Sequence, residues 1–373
     1  QTDTRYKTGT NSRRGAHIKI RSLGHCMLFS LIAVKCVQKS LRNTAEPATM
    51  ADKPTPTSEP SQGTMDLIAN LAKQELPVID GITLMPTLPG MRPWEEKVQD
   101  LRKMTLRDDD VFLLTYMKAG THWLWEVISM LMKGRAEHDK NTKEQLMMEA
   151  VDTKILNSTP SPRTFNTHLP FSMLPVPEIK ERRLKLVHVY RNPKDICVSL
   201  YHMTKSSMVM QISARGAADS FANFFEHFFF SDKVMLGPYF RYMRQMHEFQ
   251  QQHPQIPFVN MTYEDVKQDP VDSVKQLASF LGLSVNDDLC VQIAEECSFD
   301  QMKKMAAEKA RVQFSAKGNS EEMIELMKTQ MPVIYRKGQI GDWKNYFTVA
   351  MNERADEVIE QEMKDLPFPL TFE

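Results

Sequence analysis

The sequence has little cysteine, no excess of either charge and no long apolar run. Five cysteines (Cys26, Cys36, Cys197, Cys290 and Cys297) are scattered through 373 residues, an odd set without paired or metal-ligand spacing. This argues against a disulfide framework or a cysteine-built metal site and fits reduced thiols in a cytoplasmic protein that holds no metal. The apolar piece from Cys26 to Val34 ends at Lys35. It falls far short of the ~20 apolar residues a membrane span needs. No A-x-A-like site follows it, as a secretory signal core would require. Lys+Arg and Asp+Glu both count 47, so a broadly basic nucleic-acid binder is excluded and any anion site must be a local cluster. Methionine, by contrast, is abundant: 26 residues, suited to filling a core or lining an adaptable apolar pocket.

Residues 1–65 differ from the rest. They are polar and basic, then rich in Pro, Thr and Ser around Pro54–Pro60, and are expected to form a disordered N-terminal extension. Met50-Ala-Asp-Lys reads like a natural start. Residues 66–373 carry the patterning of one globular domain.

Within that domain the chain is organised around Val111–Met130. Val111 to Tyr116 is a short apolar run of strand formers, and Trp123, Leu124, Val127, Ile128 and Leu131 repeat at helical spacing. Between them stand Lys118, Ala119, Gly120, Thr121 and His122. A strand that breaks at glycine and restarts as a helix gathers backbone N–H groups and the positive end of the helix dipole, which suits an anion. The alternative is an ordinary strand-to-helix turn with a surface lysine. Lysine precedes glycine here, so the loop is not that of nucleoside triphosphatases.

Further strand-then-loop units follow. Arg163–Pro170 holds His168, which taken alone reads first as a structural histidine. Leu186–Tyr190 forms a strand, then Asn192 caps a helix, Pro193 opens it and Asp195 sits in its first turn. Arg191 therefore lies at a strand's carboxyl end, with Ser199 about two turns into the helix. Phe258–Met261 is the next strand, with Tyr263 just past it; Pro270–Leu281 is a helix capped by Asp269 and stopped by Gly282. Short helices are expected at Asp66–Lys73 and Trp94–Met104, and a core helix at Phe221–Phe230. Lys303–Ser320, charged and without clear periodicity, reads as a long exposed loop. Arg336, Lys337 and Gly338 form a third cationic cluster after the Lys118 loop and Arg191 with Ser199, and a last helix spans Asn352–Met363. Recurring strand–helix units argue an α/β domain with a central, mainly parallel sheet flanked by helices. Three separated cationic clusters ask for a ligand with separated negative charges.

At this point the sequence resembles the cytosolic sulfotransferases, which use 3′-phosphoadenosine 5′-phosphosulfate (PAPS). Thr115-Tyr-Met-Lys-Ala-Gly-Thr-His-Trp123 is similar to the family's T-Y-P-K-S-G-T-T-W loop. Thr167–Pro170 matches the segment of its catalytic histidine, and Arg191-Asn-Pro-Lys-Asp with Ser199 matches its 3′-phosphate motif. Arg336–Trp343 matches R-K-G-x-x-G-D-W. The resemblance runs from about Ile79 to Lys364 and implies sulfuryl transfer from PAPS to a hydroxyl or amine of a small, largely apolar acceptor such as a phenol or sterol. It implies catalytic roles for His168 as general base, for Lys118 at the phosphosulfate and for Ser199. It implies a nucleotide pocket of Lys118, Ala119, Gly120, Thr121, His122, Trp123, Arg191, Ser199, Tyr263, Cys297, Ser298, Phe299, Met302, Arg336, Lys337 and Gly338.

This sequence departs from the pattern at Met117, Ala119 and His122, at Asn166 where the family often has lysine, and at Cys297 where threonine is common. Two other readings stand beside the enzyme: a catalytically silent PAPS- or PAP-binding protein of the same fold, and a P-loop-type kinase. Lys344–Glu353 resembles the family's dimer segment and implies a homodimer.

Overall fold

A computed structural model of the chain describes residues 69–87, 91–138, 142–315 and 335–373. The readings of residues 1–65, including Cys26–Val34 and Met50, fall outside these ranges. Four strands make one parallel sheet: β1 (Val111–Thr115), β2 (Thr164–Thr167), β3 (Lys185–Tyr190) and β4 (Phe258–Thr262), in the order β2-β1-β3-β4. Registers such as Phe112 against both Phe165 and Leu186 place apolar side chains in line across the sheet. A small antiparallel pair, Val78–Ile79 with Ile82–Thr83, stands apart.

The strands are apolar on both faces because helices cover both, as expected of a parallel sheet. Phe112, Leu113, Phe165, Leu186 and Val187 lie fully buried in one continuous core. At the amino edge, Arg163 grips Asp110 through Nε–Oδ1 at 2.7 Å and a second, parallel contact. This fully buried pair fixes the starts of β1 and β2 at the end of the sheet away from the cationic loops.

The helices follow their local signals. In chain order they include α1 (Trp94–Arg102), α2 (Thr121–Lys133), α3 (Pro193–Ser206), α4 (Phe221–Phe230), α5 (Tyr239–Gln252), α6 (Pro270–Leu281), α7 (Phe299–Ser315) and α8 (Val349–Met363). Asn192 caps α3 by accepting from Lys194 N, and Asp269 caps α6 by accepting from Asp272 N. Residues 69–73 are helical.

Two expectations need correction. Lys303–Ser315 is no loop: it belongs to α7. Its Met, Lys, Ala, Glu and Gln residues are strong helix formers, so propensity holds the helix where periodicity is weak. Met302 anchors its start in the core, and Lys309 reaches Glu126 on α2 at 2.6 Å. The remainder of that stretch, 316–320, lies outside the described residues. The second concerns α2, which is buried nearly all round rather than on one stripe. Trp125 donates to Thr164 O at 3.0 Å in the core, whereas Trp123 is half-buried.

Chain order explains where a ligand fits. From β1 the chain moves to β2 on one side and then to β3 on the other. Such a reversal opens a crevice at the carboxyl ends of the strands.

Candidate active site

Every strand of the sheet delivers a candidate group to that edge. Lys118 follows β1, His168 follows β2, Arg191 follows β3 and Tyr263 follows β4. The loop after β1 is built for close approach. Lys118 has φ +67° and Gly120 φ +113°, both left-handed. A Cβ on Gly120 would sit 3.1 Å from the Tyr263 ring, so only glycine lets that ring close over the loop. Thr121 begins α2, and its hydroxyl meets Thr115 Oγ1 at 2.8 Å.

His168 is held on both sides. Its Nδ1 lies 2.8 Å from Thr115 O. A carbonyl only accepts, so Nδ1 carries the proton and the neutral ring keeps its lone pair on Nε2. Its backbone N–H donates to Glu149 Oε1 at 2.7 Å, and Thr167 Oγ1 donates to Glu149 Oε2 at 2.9 Å. Burial lowers the His168 pKa below its ordinary value, with the charges of Lys143 and Lys118 adding to it against the opposing Glu149. His168 is therefore a neutral base at neutral pH.

Cations converge beside it. Burial pushes Lys118 down to about 7, and the charges of Arg191, Lys143 and Arg336 push the same way. Arg191 is nine-tenths buried, lies 4.0 Å over the Tyr263 ring and donates to Gln339 O at 3.0 Å. Asp195 at 3.6 Å and Glu264 at 4.0 Å only partly neutralise it. Burial drives Glu264 up to about 7 even with Arg191 beside it. The Nε atoms of Arg191 and Arg336 are buried with no hydrogen-bond partner among the described residues. Buried donors left over in this way fit a polyanion that would complete them.

The third cluster joins through Asp195. This buried carboxylate accepts from Gly341 N at 2.8 Å and Trp343 N at 3.0 Å, tying the loop 335–343 to the start of α3. Asp342 in turn pairs Arg336 at 2.5 Å and Lys337 at 2.6 Å. Gly338 has φ +62°, and a Cβ there would lie 2.3 Å from the Phe299 ring. Ser199 is half-buried on α3, three residues before His202, whose Nε2 meets Tyr346 OH at 2.8 Å. Arg336 lies 6.0 Å over that same Tyr346 ring, so Ser199 shares the helix face turned toward Arg336.

Not every expected residue reaches the crevice as expected. The Cys297 thiol points into the core, 3.8 Å from Met130 Sδ, and Met302 is buried. Ser298 is exposed and Phe299 half-buried. Burial, with Lys143, brings His122 to about 4, so its ring is neutral. Nε2 donates to Glu144 Oε1 at 3.2 Å, which leaves only an acceptor, Nδ1, on the other side. A phosphate has no proton to give it, so His122 offers its backbone N–H rather than its ring. Ala119 is fully buried.

Three residues went unforeseen: Lys143, Glu149 and Glu264. None carries a local signal in the sequence, where a lone charged residue gives no reason to expect burial. Only the pairing of Met147 with Asn166 brings Lys143 and Glu149 under β2. Among the described residues no helix is long and apolar enough to cross a membrane.

Known proteins carry the same design. The sulfotransferase domain family matches residues 108–367. A rabbit (Oryctolagus cuniculus) amine sulfotransferase is 31% identical over 74% of this chain and 86% of its own length. A bovine (Bos taurus) sulfotransferase 1E1 is 32% identical over 74% of this chain and 91% of its own. The crystal structure of a mouse sulfotransferase, SULT7A1, complexed with PAP superposes with a TM-score of 0.59 at 29% identity, covering 78% of this chain and 95% of that one. With a basic crevice at the switch of a parallel sheet and a matching domain across most of its length, this chain belongs to the sulfotransferase family and is an enzyme of that class.

Proposed function

We propose that this sulfotransferase moves the sulfuryl group of PAPS to a hydroxyl or amine of a small, largely apolar acceptor. The observation that carries the reading is the convergence of Lys118, His168 and Arg191 at the carboxyl edge of the sheet, where Arg191 donates to Lys118 O at 3.3 Å. The donor supplies an activated sulfur–oxygen bond whose cleavage leaves a phosphate. Lys118, with the backbone N–H groups of Gly120, Thr121 and His122, holds the 5′ end and meets the charge that grows on the leaving oxygen. Arg191, Ser199, Arg336, Lys337 and Gly338 hold the 3′-phosphate. Trp123, Tyr263 and Phe299 offer aromatic faces for the base.

His168 Nε2 takes the proton as the acceptor oxygen or nitrogen bonds to sulfur. The electron pair of the broken bond stays on the phosphate oxygen. Thr115 O fixes the ring and its tautomer throughout, and Glu149 holds the backbone that carries it. A small cavity beside Met117, lined mainly by Met117, Leu200, Met210, Phe224, Val234 and Met235, shows that apolar side chains stand next to this loop and supports an apolar acceptor. The rabbit relative is an amine sulfotransferase by name, which keeps amines beside alcohols in the acceptor class.

A screen of phenols, sterols, bile alcohols and amines with radiolabelled PAPS tests this. A sulfated product from wild type, with turnover of an alcohol falling roughly 10²–10⁴-fold in His168→Ala, is expected. Near-wild-type turnover by His168→Ala, with PAP binding intact, would remove His168 from the mechanism.

A homodimer through Lys344–Glu353 is part of the same proposal. Val349 opens α8 with 76% of its surface exposed, an apolar side chain offered to solvent.

A further inference from the structure

The resemblance to the family raises a question of charge. Where relatives often place lysine two residues before the catalytic histidine, this chain has the neutral Asn166. Asn166 is fully buried, and its amide Nδ2 donates to Lys143 O at 2.7 Å. Its backbone carbonyl accepts from Met148 N at 3.1 Å, while its side-chain Oδ1 is buried with no partner among the described residues. Asn166 thus pins the turn Lys143–Leu146 against β2, and that turn starts with a lysine only 6% exposed.

The Lys143 side chain is placed by a short chain of polar groups. Glu144 Oε1 lies 3.4 Å from Lys143 Nζ and 3.2 Å from His122 Nε2. His122 lies in the first turn of α2, directly after the loop that carries Lys118, and Asn166 belongs to β2, which His168 follows. Lys143 is thereby tethered to both sides of the crevice. Its charge is felt by Lys118, His122 and His168 alike, which a cation turned to solvent would not achieve. Glu144, held well below its usual carboxylate range by Lys143 and His122 against the pull of burial, keeps the cluster from being cationic throughout.

We propose that Lys143, held in a turn beside β2, supplies a cation to the site and that its ammonium contacts the sulfonate oxygens of the transferring group. The inference rests on the assignment of Lys118 to the 5′-phosphosulfate. In the transfer step the sulfur carries three oxygens that share negative charge while it passes from phosphate to acceptor. A cation at those oxygens acts on the group in flight. A cation at the phosphate, such as Lys118, acts on the leaving end.

The difference between donor and product isolates this claim, because PAPS has the sulfonate and PAP lacks it. Calorimetric titration without acceptor would compare both ligands on wild type, Lys143→Met, Lys143→Arg and Lys118→Ala. Lys143→Met should weaken PAPS by roughly ten- to a hundredfold, the loss of one charge-assisted contact, and PAP by less than about threefold. Lys143→Arg should restore most of the PAPS affinity. Glu144→Gln, which removes the competing carboxylate, should tighten PAPS without tightening PAP to the same degree, and it keeps the proposal testable if Lys143→Met fails to fold. Equal weakening of both ligands by Lys143→Met, or no effect on either, overturns the proposal. So does a Glu144→Gln protein that binds PAPS no better. If instead Lys118→Ala binds both ligands like wild type, the assignment of the pocket fails, whatever Lys143 does.

Discussion

Lys118 should make the ligand-free protein less stable than it need be. Burial and three neighbouring cations bring its pKa from 10.5 to about 7. A protonated Lys118 therefore opposes folding. At ~1.4 kcal/mol per unit, the shift sets an upper bound near ~5 kcal/mol. Water still reaches the half-buried side chain, so ~2 kcal/mol is the working figure. Lys118→Met keeps the apolar stem and the backbone strain while removing the charge. The sign follows from the proton count. Between pH 7 and 10.5 the folded chain holds fewer protons at this site than the unfolded one, so the penalty is full below pH 7 and fades as pH rises. The variant should melt ~3–6 °C above wild type at pH 6, with the gain closing toward pH 10. Saturating PAP should reverse the order. At a hundredfold excess over its Kd the ligand adds ~2.7 kcal/mol to wild type, and the same concentration adds far less to the variant. Thermal unfolding at several pH values, with and without PAP, measures all of this. A variant less stable than wild type at pH 6, or a gain that does not change with pH, would refute the reasoning.

Other expectations follow from the same geometry. The lowered His168 pKa places the acid limb of kcat/KM for an alcohol acceptor below pH 6.5, since only the neutral ring accepts a proton; a midpoint above 6.5 would contradict the burial argument. Arg191→Ala should weaken PAP by ~2–4 kcal/mol in calorimetry and adenosine 5′-phosphosulfate, which lacks the 3′-phosphate, far less; equal losses would make Arg191 structural. Gly338→Ala forces a left-handed alanine against the Phe299 ring and should cost ~1–3 kcal/mol of stability and weaken PAP, whereas a wild-type melting curve would show that the loop yields easily. Val349→Glu should convert a dimer to a monomer by light scattering, and a wild type already monomeric at micromolar concentration would remove the dimer segment from consideration.

Local signals carried the frame. An apolar run, a glycine break and a restart at Thr121 located the central strand, its loop and α2, because each depends on neighbours within a few residues. The same holds for Asn192, Pro193 and Asp195 at the start of α3. What Asp195 does beyond its helix was hidden, since Gly341 and Trp343 lie more than 140 residues away. Lys143, Glu149 and Glu264 were hidden for a related reason: charge predicts exposure, and only tertiary pairing buries them. The Cys297 thiol shows the converse. Motif position suggested the crevice, but the packing of the last turn before α7 directs its sulfur at Met130. In α7 itself, helix formers outweighed a weak apolar pattern.

The tie from Asp195 to Gly341 and Trp343 has a consequence for how the protein is made. Lys118 and His168 leave the ribosome well before Arg336–Gly338. With Arg336–Gly338 assigned to the 3′-phosphate as proposed, the pocket forms only once that later segment docks on the start of α3. On that assignment a nascent chain can form the parallel sheet and still be blind to PAP, and cleavage after residue 335 should abolish PAP binding while leaving the sheet intact.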